Sequence, residues 1–242
     1  MLPISADVLL CAGREGVDVE QTASRTQHAL RLLTLLRVCA EPVGGGDPPE
    51  MVGVIRAEKR LQALDFWLRN PDYLADEILN LVQAEMLNGA WIETARDLLT
   101  ESEPQLHHFP MPKWFYGAYE AVDDAMALLE TYGLAKVRRR GAPPKRLQNS
   151  FFLTADGAAA ADSLGSTPGL RWYLTQAQLV SQVAGDDSGN KLKGRQYAQE
   201  AYATARWGQS IGSIDEQVRK RLAEDFDHVG PGAGQHSGRG SV

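Results

Sequence analysis

LLETYGLAKVRRR at residues 128–140 and FLTADG at residues 152–157 are the two stretches from which the fold is most readily predicted. The first combines the end of a helix, a terminating Gly133 and a strand, because a glycine in the left-handed conformation commonly ends a helix. The second combines the end of a strand with Thr154, a residue type that caps helix N-termini. Helix, strand, basic loop, strand and capped helix succeed one another in the order typical of a winged-helix unit.

Around these stretches the sequence predicts a mainly α-helical chain with small β-hairpin wings, built on one winged helix or a tandem pair, plus C-terminal helices. The N-terminal unit contains no recognisable wing strands and is predicted to be helical, with a degenerate winged helix as the alternative. The predicted divisions are a helical unit at 1–100, a winged helix at 101–165, a helical segment at 166–229 and a disordered tail at 230–242.

Several local features are predicted from spacing. Helices are expected from 23 to 40, from Val54, from Asp72 and from 115 to 132. A leucine stripe, Leu61, Leu64, Leu68 and Leu74, should form the core of the first unit, and the segment Trp114-Phe115-Tyr116 is assigned to the core rather than to an interface. Ser213 and Glu216 have the spacing of a capping box, before an apolar face that contains Ile214, Val218 and Leu222.

The distribution of charge allows only a local contact with nucleic acid, because the net charge is −6. No acidic residue occurs between Glu130 and Asp156, and the cations there are Lys136, Arg138, Arg139, Arg140, Lys145 and Arg146. On a protruding hairpin they are candidates for non-specific contacts with the backbone of double-stranded DNA. The alternative is that they only keep an exposed hairpin soluble. The acidic helix predicted before them disfavours base reading in the major groove.

The sequence contains no recognisable catalytic, metal or cofactor motif, and we expect a protein that is not an enzyme. The pair His107-His108 lacks metal-ligand spacing, and the loop 185–191 lacks the Gly-Lys-Ser/Thr of a phosphate loop. Cys11 and Cys39 form neither a disulfide framework nor a zinc motif. No apolar run of about 18 residues and no signal peptide are recognisable. We therefore expect a cytoplasmic protein with no membrane partner.

Two segments carry a family resemblance. One is RLQALDFWLRNPDYLA at residues 60–75, and the other runs from Gly189 to Tyr202 and is followed by Ile211, Ile214, Val218 and Arg221. Both resemble the middle components of bacterial three-component ABC-ATPase systems, which include the small accessory subunit of Lamassu anti-phage defence. The resemblance covers most of residues 25–226. It implies a winged-helix subunit that sits on an SMC or Rad50-like ATPase, while a separate effector, often a nuclease, carries the toxic chemistry.

The leading hypothesis is therefore a non-catalytic accessory subunit that helps such an ATPase to hold or sense DNA and that controls the effector. Its partner-facing residues are expected to be Trp207, Arg219, Lys220 and Arg221. A free-standing winged-helix transcription regulator is the alternative, and an enzyme with an unrecognised site is a third hypothesis.

Overall fold

The computed structural model describes residues 19–100, 111–140 and 148–226. These residues are mainly helical and include a small antiparallel sheet, which confirms the predicted fold class at that level. The helices are α1 Val19–Cys39, α2 Glu58–Arg69, α3 Pro71–Gln83, α4 Trp91–Thr100, α5 Asp123–Thr131, α6 Ala155–Leu164, α7 Pro168–Ala184, α8 Gly189–Ala198, α9 Glu200–Thr204 and α10 Asp215–Arg221, which continues as a π-helical turn, Leu222–Phe226. The strands are β1 Met51–Arg56, β2 Lys113–Trp114, β3 Gly117–Ala118, β4 Ala135–Arg140 and β5 Gln148–Thr154.

The chain divides into two compact units that are each assembled from separate stretches. Unit 1 contains Met1–Asn70 and Glu103–Gly212, and unit 2 contains Pro71–Ser102 and Ser213–Val242. This division differs from the predicted boundaries at 100, 165 and 229. The physical reason is long-range pairing, because β1 pairs with β5 inside unit 1, and unit 2 joins residues before 103 to residues after 212. The predicted tail at 230–242 lies outside the described residues.

The sheet of unit 1 has the order β1-β5-β4 among the described residues, with both neighbours antiparallel to β5. The predicted hairpin is confirmed as β4 and β5. The prediction of a helix from Val54 is wrong, because residues 51–56 form β1 and the helix begins only at Glu58. Val54 pairs with Phe152 and Ile55 pairs with Phe151, and all four side chains are buried. β-branched residues favour such a pleated, buried position over a helix.

The junction between the hairpin and its flanking helices matches the prediction from local sequence. Gly133 adopts a φ of 69° directly after α5, which is the left-handed conformation expected of a helix-ending glycine. Thr154 caps α6, because its Oγ1 accepts a hydrogen bond of 2.9 Å from Gly157 N and donates one of 2.7 Å to Gly133 O. A Cβ at Gly157 would lie 1.9 Å from Leu134 O. Glycine is therefore required where α6 passes over the start of the hairpin.

The helix predicted from 115 to 132 begins later than expected. Residues 113–118 instead form the β2–β3 hairpin, and α5 starts at Asp123. Gly117 has a φ of 96°, which an α-helix does not allow. Val122, Met126 and Leu129 are buried on α5 or just before it, whereas Tyr119 precedes the helix and is exposed.

Unit 2 is held together through a buried aspartate. Asp72 Oδ2 accepts hydrogen bonds from Ser213 Oγ at 2.8 Å and from Ile214 N at 2.7 Å, so one carboxylate joins the start of α3 to the residues before α10. The capping box predicted for Ser213 and Glu216 is not formed, because Ile214 occupies the N-cap position and its apolar side chain accepts no hydrogen bond from the first turn of α10. The apolar face Ile214, Val218 and Leu222 is buried as predicted.

The leucine stripe is confirmed as core, since all four of its side chains are fully buried. Leu61, Leu64 and Leu68 belong to unit 1, whereas Leu74 belongs to unit 2, so the stripe is shared between two cores rather than confined to one. No helix among the described residues is long and apolar enough to cross a membrane.

Replacement of Leu64 by aspartate should lower the free energy of unfolding by about 4 kcal/mol or more, because an unpaired carboxylate would be buried. Chemical denaturation monitored by circular dichroism measures this change. The control is Val52→Asp, at a strand residue of the same unit whose side chain is half exposed, for which a loss of at most about 1 kcal/mol is expected. Equal effects of the two changes would contradict the core assignment.

Candidate functional site

Strand β4 carries the described part of the predicted DNA-contacting cations. Arg138 and Arg139 are exposed, and Lys136 is half-buried. β4 is an edge strand of the sheet. Successive side chains of a strand point to opposite faces, so Arg138 and Arg139 project on either side of this edge. The side chain of Arg140, and the residues Lys145 and Arg146, lie outside the part of the chain that the structure describes.

Helix α5, which precedes the basic strand, exposes negative charge. Asp123, Asp124 and Glu130 are all exposed on it. Glu130 Oε1 also accepts a 2.8 Å hydrogen bond from Val137 N, which satisfies one donor on the open edge of β4. An acidic helix is repelled by DNA phosphates, so α5 is a poor candidate for insertion into the major groove.

A buried cluster of five ionisable side chains joins three elements of unit 1. Arg31 Nε of α1 donates a 3.0 Å hydrogen bond to Asp65 Oδ1 of α2, and Arg69 forms ion pairs with both Asp65 and Glu120. The two ring nitrogens of His28 face different carboxylates, Nε2 at 3.8 Å from Asp65 Oδ2 and Nδ1 at 3.6 Å from Glu120 Oε1. Burial alone would raise the pKa of Asp65, but the two arginines and His28 hold it below its usual range.

His28, Asp65 and Glu120 also have the composition of a metal site, since one donor atom from each lies within 4.8 Å of the others. Their surroundings do not fit a cation. Arg31 and Arg69 already balance the two carboxylates, and the two nitrogens of His28 point toward different carboxylates rather than toward one shared point. A divalent ion would therefore meet two guanidinium groups in a buried site. We assign the cluster a structural role.

This cluster was missed by the sequence analysis, although the sequence contains a signal for it. Asp65 and Arg69 have i,i+4 spacing inside the apolar stripe of α2, and His28 and Arg31 have i,i+3 spacing in the leucine-rich α1. Charged residues inside an apolar helical face indicate either a buried ion pair or a binding site. Their partner Glu120 lies more than 50 residues further along the chain, where no local pattern identifies it.

A cleft of about 1030 Å³ opens in unit 1 beside the start of α2. Its walls come from residues 38–42, from residues 56–60, from the β2–β3 hairpin and from residues 185–190. The lining includes side chains that can form hydrogen bonds or ion pairs with a ligand: Glu58, Lys59, Tyr116, Asn149, Asn190 and Lys193. This volume lies at the upper end of the range of about 300–1,000 Å³ that is usual for small-molecule sites.

The floor of the cleft contains a buried lysine. Lys193 Nζ donates hydrogen bonds to Ala118 O at 2.8 Å and to Tyr202 OH at 3.2 Å. Burial lowers the pKa of Lys193 to about 7. The Tyr202 hydroxyl accepts a further hydrogen bond of 2.7 Å from Ala118 N, and Lys113 Nζ donates to Tyr202 O at 2.9 Å. These contacts fasten the β2–β3 hairpin to α8 and α9.

The tip of this hairpin is aromatic and exposed, which contradicts its assignment to the core. Phe115 is 72% exposed, and Trp114 and Tyr116 are each about half exposed. Trp207, predicted as a partner anchor, is 58% exposed and stands beside the tip, with its ring centroid 4.2 Å from that of Phe115. We call Trp114, Phe115, Tyr116 and Trp207 the aromatic patch. These rings lie outside the core because the buried contacts of the hairpin are made by Lys113, Gly117 and Ala118.

The segment at residues 185–191, which includes the start of α8, is attached to α2 by hydrogen bonds. Arg60 donates hydrogen bonds to Gly185 O at 2.9 Å and to Asp187 O, and the Asp187 carboxylate pairs with Lys191 and Arg195. Ser188 caps α8. A Cβ at Gly189 would lie 2.5 Å from Arg60 N, so glycine permits the close approach of α8 to α2.

The predicted partner-facing cations of α10 differ in the contacts that they make within unit 2. Arg221 donates hydrogen bonds to Asp76 Oδ1 at 2.6 Å and to Asn80 Oδ1 at 2.8 Å, so it fastens α10 to α3. Arg219 donates to Asp215 and to Leu99 O. Lys220 is the most exposed of the three, and among the described residues it forms only a long ion pair, 3.8 Å, with Glu224. It is the best placed of these cations to meet a partner. His107 and His108 lie outside the described residues.

Three features of unit 1 therefore remain as candidates for binding. The edge strand β4 offers positive charge, the cleft offers a concave surface with both apolar and polar groups, and the aromatic patch offers rings on which another planar group can stack. Comparison of the chain with family models, with curated proteins and with solved structures finds no match.

The buried cluster generates a prediction for acid stability. Burial lowers the pKa of His28 below its ordinary value of 6.5, with Arg31 and Arg69 acting in the same direction and Asp65 and Glu120 opposing it. The unfolded chain therefore binds more protons than the native chain below pH 6.5, and the free energy of unfolding should fall as the pH decreases through this window. The contribution of Asp65, whose native pKa is lowered, is lost only as the pH falls below its ordinary value of 3.8.

Denaturant unfolding of the wild type and of His28→Gln, from about pH 7.5 to about pH 5, measures this effect. The wild type should lose stability over this range, and the variant should lose less. Parallel curves for the two proteins would show that His28 titrates in the native state as it does in the unfolded chain.

Proposed function

We propose that unit 1 is a winged helix that binds double-stranded DNA without sequence preference through β4 and the basic residues that follow it in the sequence. The order of its strands supports this proposal most strongly. In a winged helix the first strand pairs with the last strand of the hairpin, which is the arrangement β1-β5-β4. Helices α1, α2 and α5 then take the places of the three helices. Residues 71–102, which belong to unit 2, are inserted in the sequence between α2 and α5, the second and third helices of the proposed winged helix.

The charges of the unit support a contact with the DNA backbone rather than with bases. The helix in the position of the recognition helix, α5, exposes Asp123, Asp124 and Glu130. Arg138 and Arg139 are exposed on the edge strand, where cations can contact phosphates and release counterions. This distribution disfavours the alternative of a transcription regulator, which would need to read a base sequence.

We further propose that the chain is a non-catalytic accessory subunit of a cytoplasmic SMC or Rad50-like ATPase complex in anti-phage defence, of the Lamassu type, with a nuclease as the effector. The resemblance at residues 60–75 and 189–202 supports this proposal. Residues 60–70 of the first segment are joined to the second segment in unit 1, where Gln196 Nε2 donates a 2.9 Å hydrogen bond to Ala63 O and the Arg195 guanidinium lies 5.0 Å from the Trp67 ring centroid. A shared framework of this kind is compatible with a shared role.

The DNA contact is tested by charge reversal at one arginine. Arg139→Glu should weaken the binding of a DNA duplex, and the slope of log affinity against log salt concentration should become shallower by about 0.9 for each phosphate that the protein no longer neutralises. Lys220→Glu is the matched control, because it makes the same charge change at an exposed cation of unit 2 and should leave the affinity unchanged. Identical salt titrations for the wild type and Arg139→Glu would mean that β4 does not contact DNA.

The partner is tested by co-expression with an SMC-like ATPase encoded beside this chain. The two proteins should purify together, and Lys220→Glu should reduce the fraction of this chain that is retained. Lys191→Glu is the control, because both lysines are exposed and each pairs with an acidic residue at i,i+4 spacing. Purification of a stable ATPase complex that never contains this chain would contradict the accessory-subunit proposal.

A further inference from the structure

The fold keeps the rings of the aromatic patch exposed to solvent. Gly117 is positioned so closely against Tyr202 that a Cβ there would lie 2.2 Å from its hydroxyl. Together with Lys113 and Lys193, this tyrosine fixes the hairpin on a buried base. The tip therefore does not need to be ordered by a ligand, and its rings are presented at little cost in conformational entropy. Phe115 and Trp207 meet at an interplanar angle of 56°, so they do not cover each other face to face.

The patch continues into the cleft through Tyr116. This tyrosine lines the cleft, and Lys59 Nζ lies 5.0 Å from its ring centroid and 2.7 Å from Asn190 Oδ1. A stacking ring, a cation and side-chain amides are therefore adjacent in one concave surface. These three kinds of group can bind a nucleotide, because a ring stacks on its base, a cation attracts its phosphate and amides form hydrogen bonds with the polar edge of its base.

A protein partner would fit this surface less well. The core of a protein interface is depleted in charged residues, whereas Lys59 and Glu58 line the cleft directly beside the patch. The cleft is also concave and combines apolar surface with a few polar groups, which suits a compact ligand better than a broad protein surface. Charge and shape together favour the nucleotide.

We propose that the aromatic patch and the adjoining cleft bind an unpaired nucleotide, with its base stacked on an exposed ring and its phosphate bound by Lys59. The ligand is either a free nucleotide or an unpaired nucleotide of a DNA strand, since both present the same base and phosphate. This site goes beyond the proposed duplex contact at β4, and its residues are separate from those of β4.

The test uses the full-length protein and a fluorescent oligothymidylate of about 20 nucleotides, followed by anisotropy. The double variant Phe115→Leu/Trp207→Leu keeps apolar side chains but removes two stacking rings, and it should bind the oligonucleotide about tenfold more weakly or worse. Trp172→Leu is the control, since it removes an aromatic ring elsewhere in unit 1 and should leave this affinity unchanged. Lys59→Gln should weaken binding and reduce its dependence on salt.

Further experiments distinguish a free nucleotide from an unpaired DNA strand as the ligand. They also distinguish this proposal from the proposed duplex contact at β4. Displacement of the oligonucleotide by thymidine monophosphate would identify a free nucleotide as a ligand, and displacement only by unlabelled single strands would identify an unpaired DNA strand. Arg139→Glu should weaken duplex binding but retain oligothymidylate binding, so failure at β4 is distinguishable from failure here. The single variant Phe115→Leu, at a highly exposed position, replaces the double variant if the latter unfolds at a lower temperature.

Two results would overturn the inference. One is wild-type affinity of the folded aromatic variants and of Lys59→Gln for the oligonucleotide. The other is an unchanged oligonucleotide affinity together with loss of a co-purifying protein from the aromatic variants, which would make the aromatic patch a protein interface.

Discussion

The arrangement of unit 1 depends on the burial of the Asp65 carboxylate in the middle of α2. An unpaired carboxylate in such a position would cost several kcal/mol, so the chain must bring cations to it. Arg31 arrives from α1 and Arg69 from the next turn of α2, and Arg69 in turn pairs with Glu120. Each element supplies charge that the others must neutralise. The three elements therefore have one consistent arrangement, and removal of one partner would leave the remaining charges buried and unpaired.

That constraint reaches the candidate binding surfaces through α2. Gln62 Nε2 donates a 2.5 Å hydrogen bond to Glu120 O, and Glu120 N donates one of 3.1 Å to Gln62 Oε1, so the backbone just after the β2–β3 hairpin is held at both polar groups. Lys193 and Tyr202 hold the hairpin itself at Ala118. A rigid support of this kind allows large aromatic side chains to remain in solvent, where a flexible loop would fold them onto the nearest apolar surface.

The parts of the fold that the sequence predicted are those whose causes are local. Gly133 ends α5 and Thr154 begins α6, each within a few residues of its element, and the prediction of the β4–β5 hairpin between them follows. Strand β1 was missed because its partner β5 lies almost 100 residues away. The buried cluster and the cleft were missed for the same reason. The segment Trp114-Phe115-Tyr116 was assigned to the core because hydrophobicity alone does not show which side of a short hairpin packs. Arg138 and Arg139 could be proposed in advance because a run of cations needs no partner to be noticed.

The residues on which the proposed family resemblance rests are, for the most part, residues that hold the protein together. In unit 1, Arg60 fastens the loop before α8, and Gln196 binds the backbone of α2. In unit 2, Asp72 binds Ile214 and Arg221 binds Asp76. The exposed groups proposed to meet DNA or a nucleotide, among them Arg139, Phe115 and Trp207, lie outside both segments. Selection on a framework and selection on a binding surface can thus act on different positions. Related chains could keep these segments while they exchange the cations of β4 or the rings of the aromatic patch, and similarity at framework residues is then a better guide to the architecture than to the ligand.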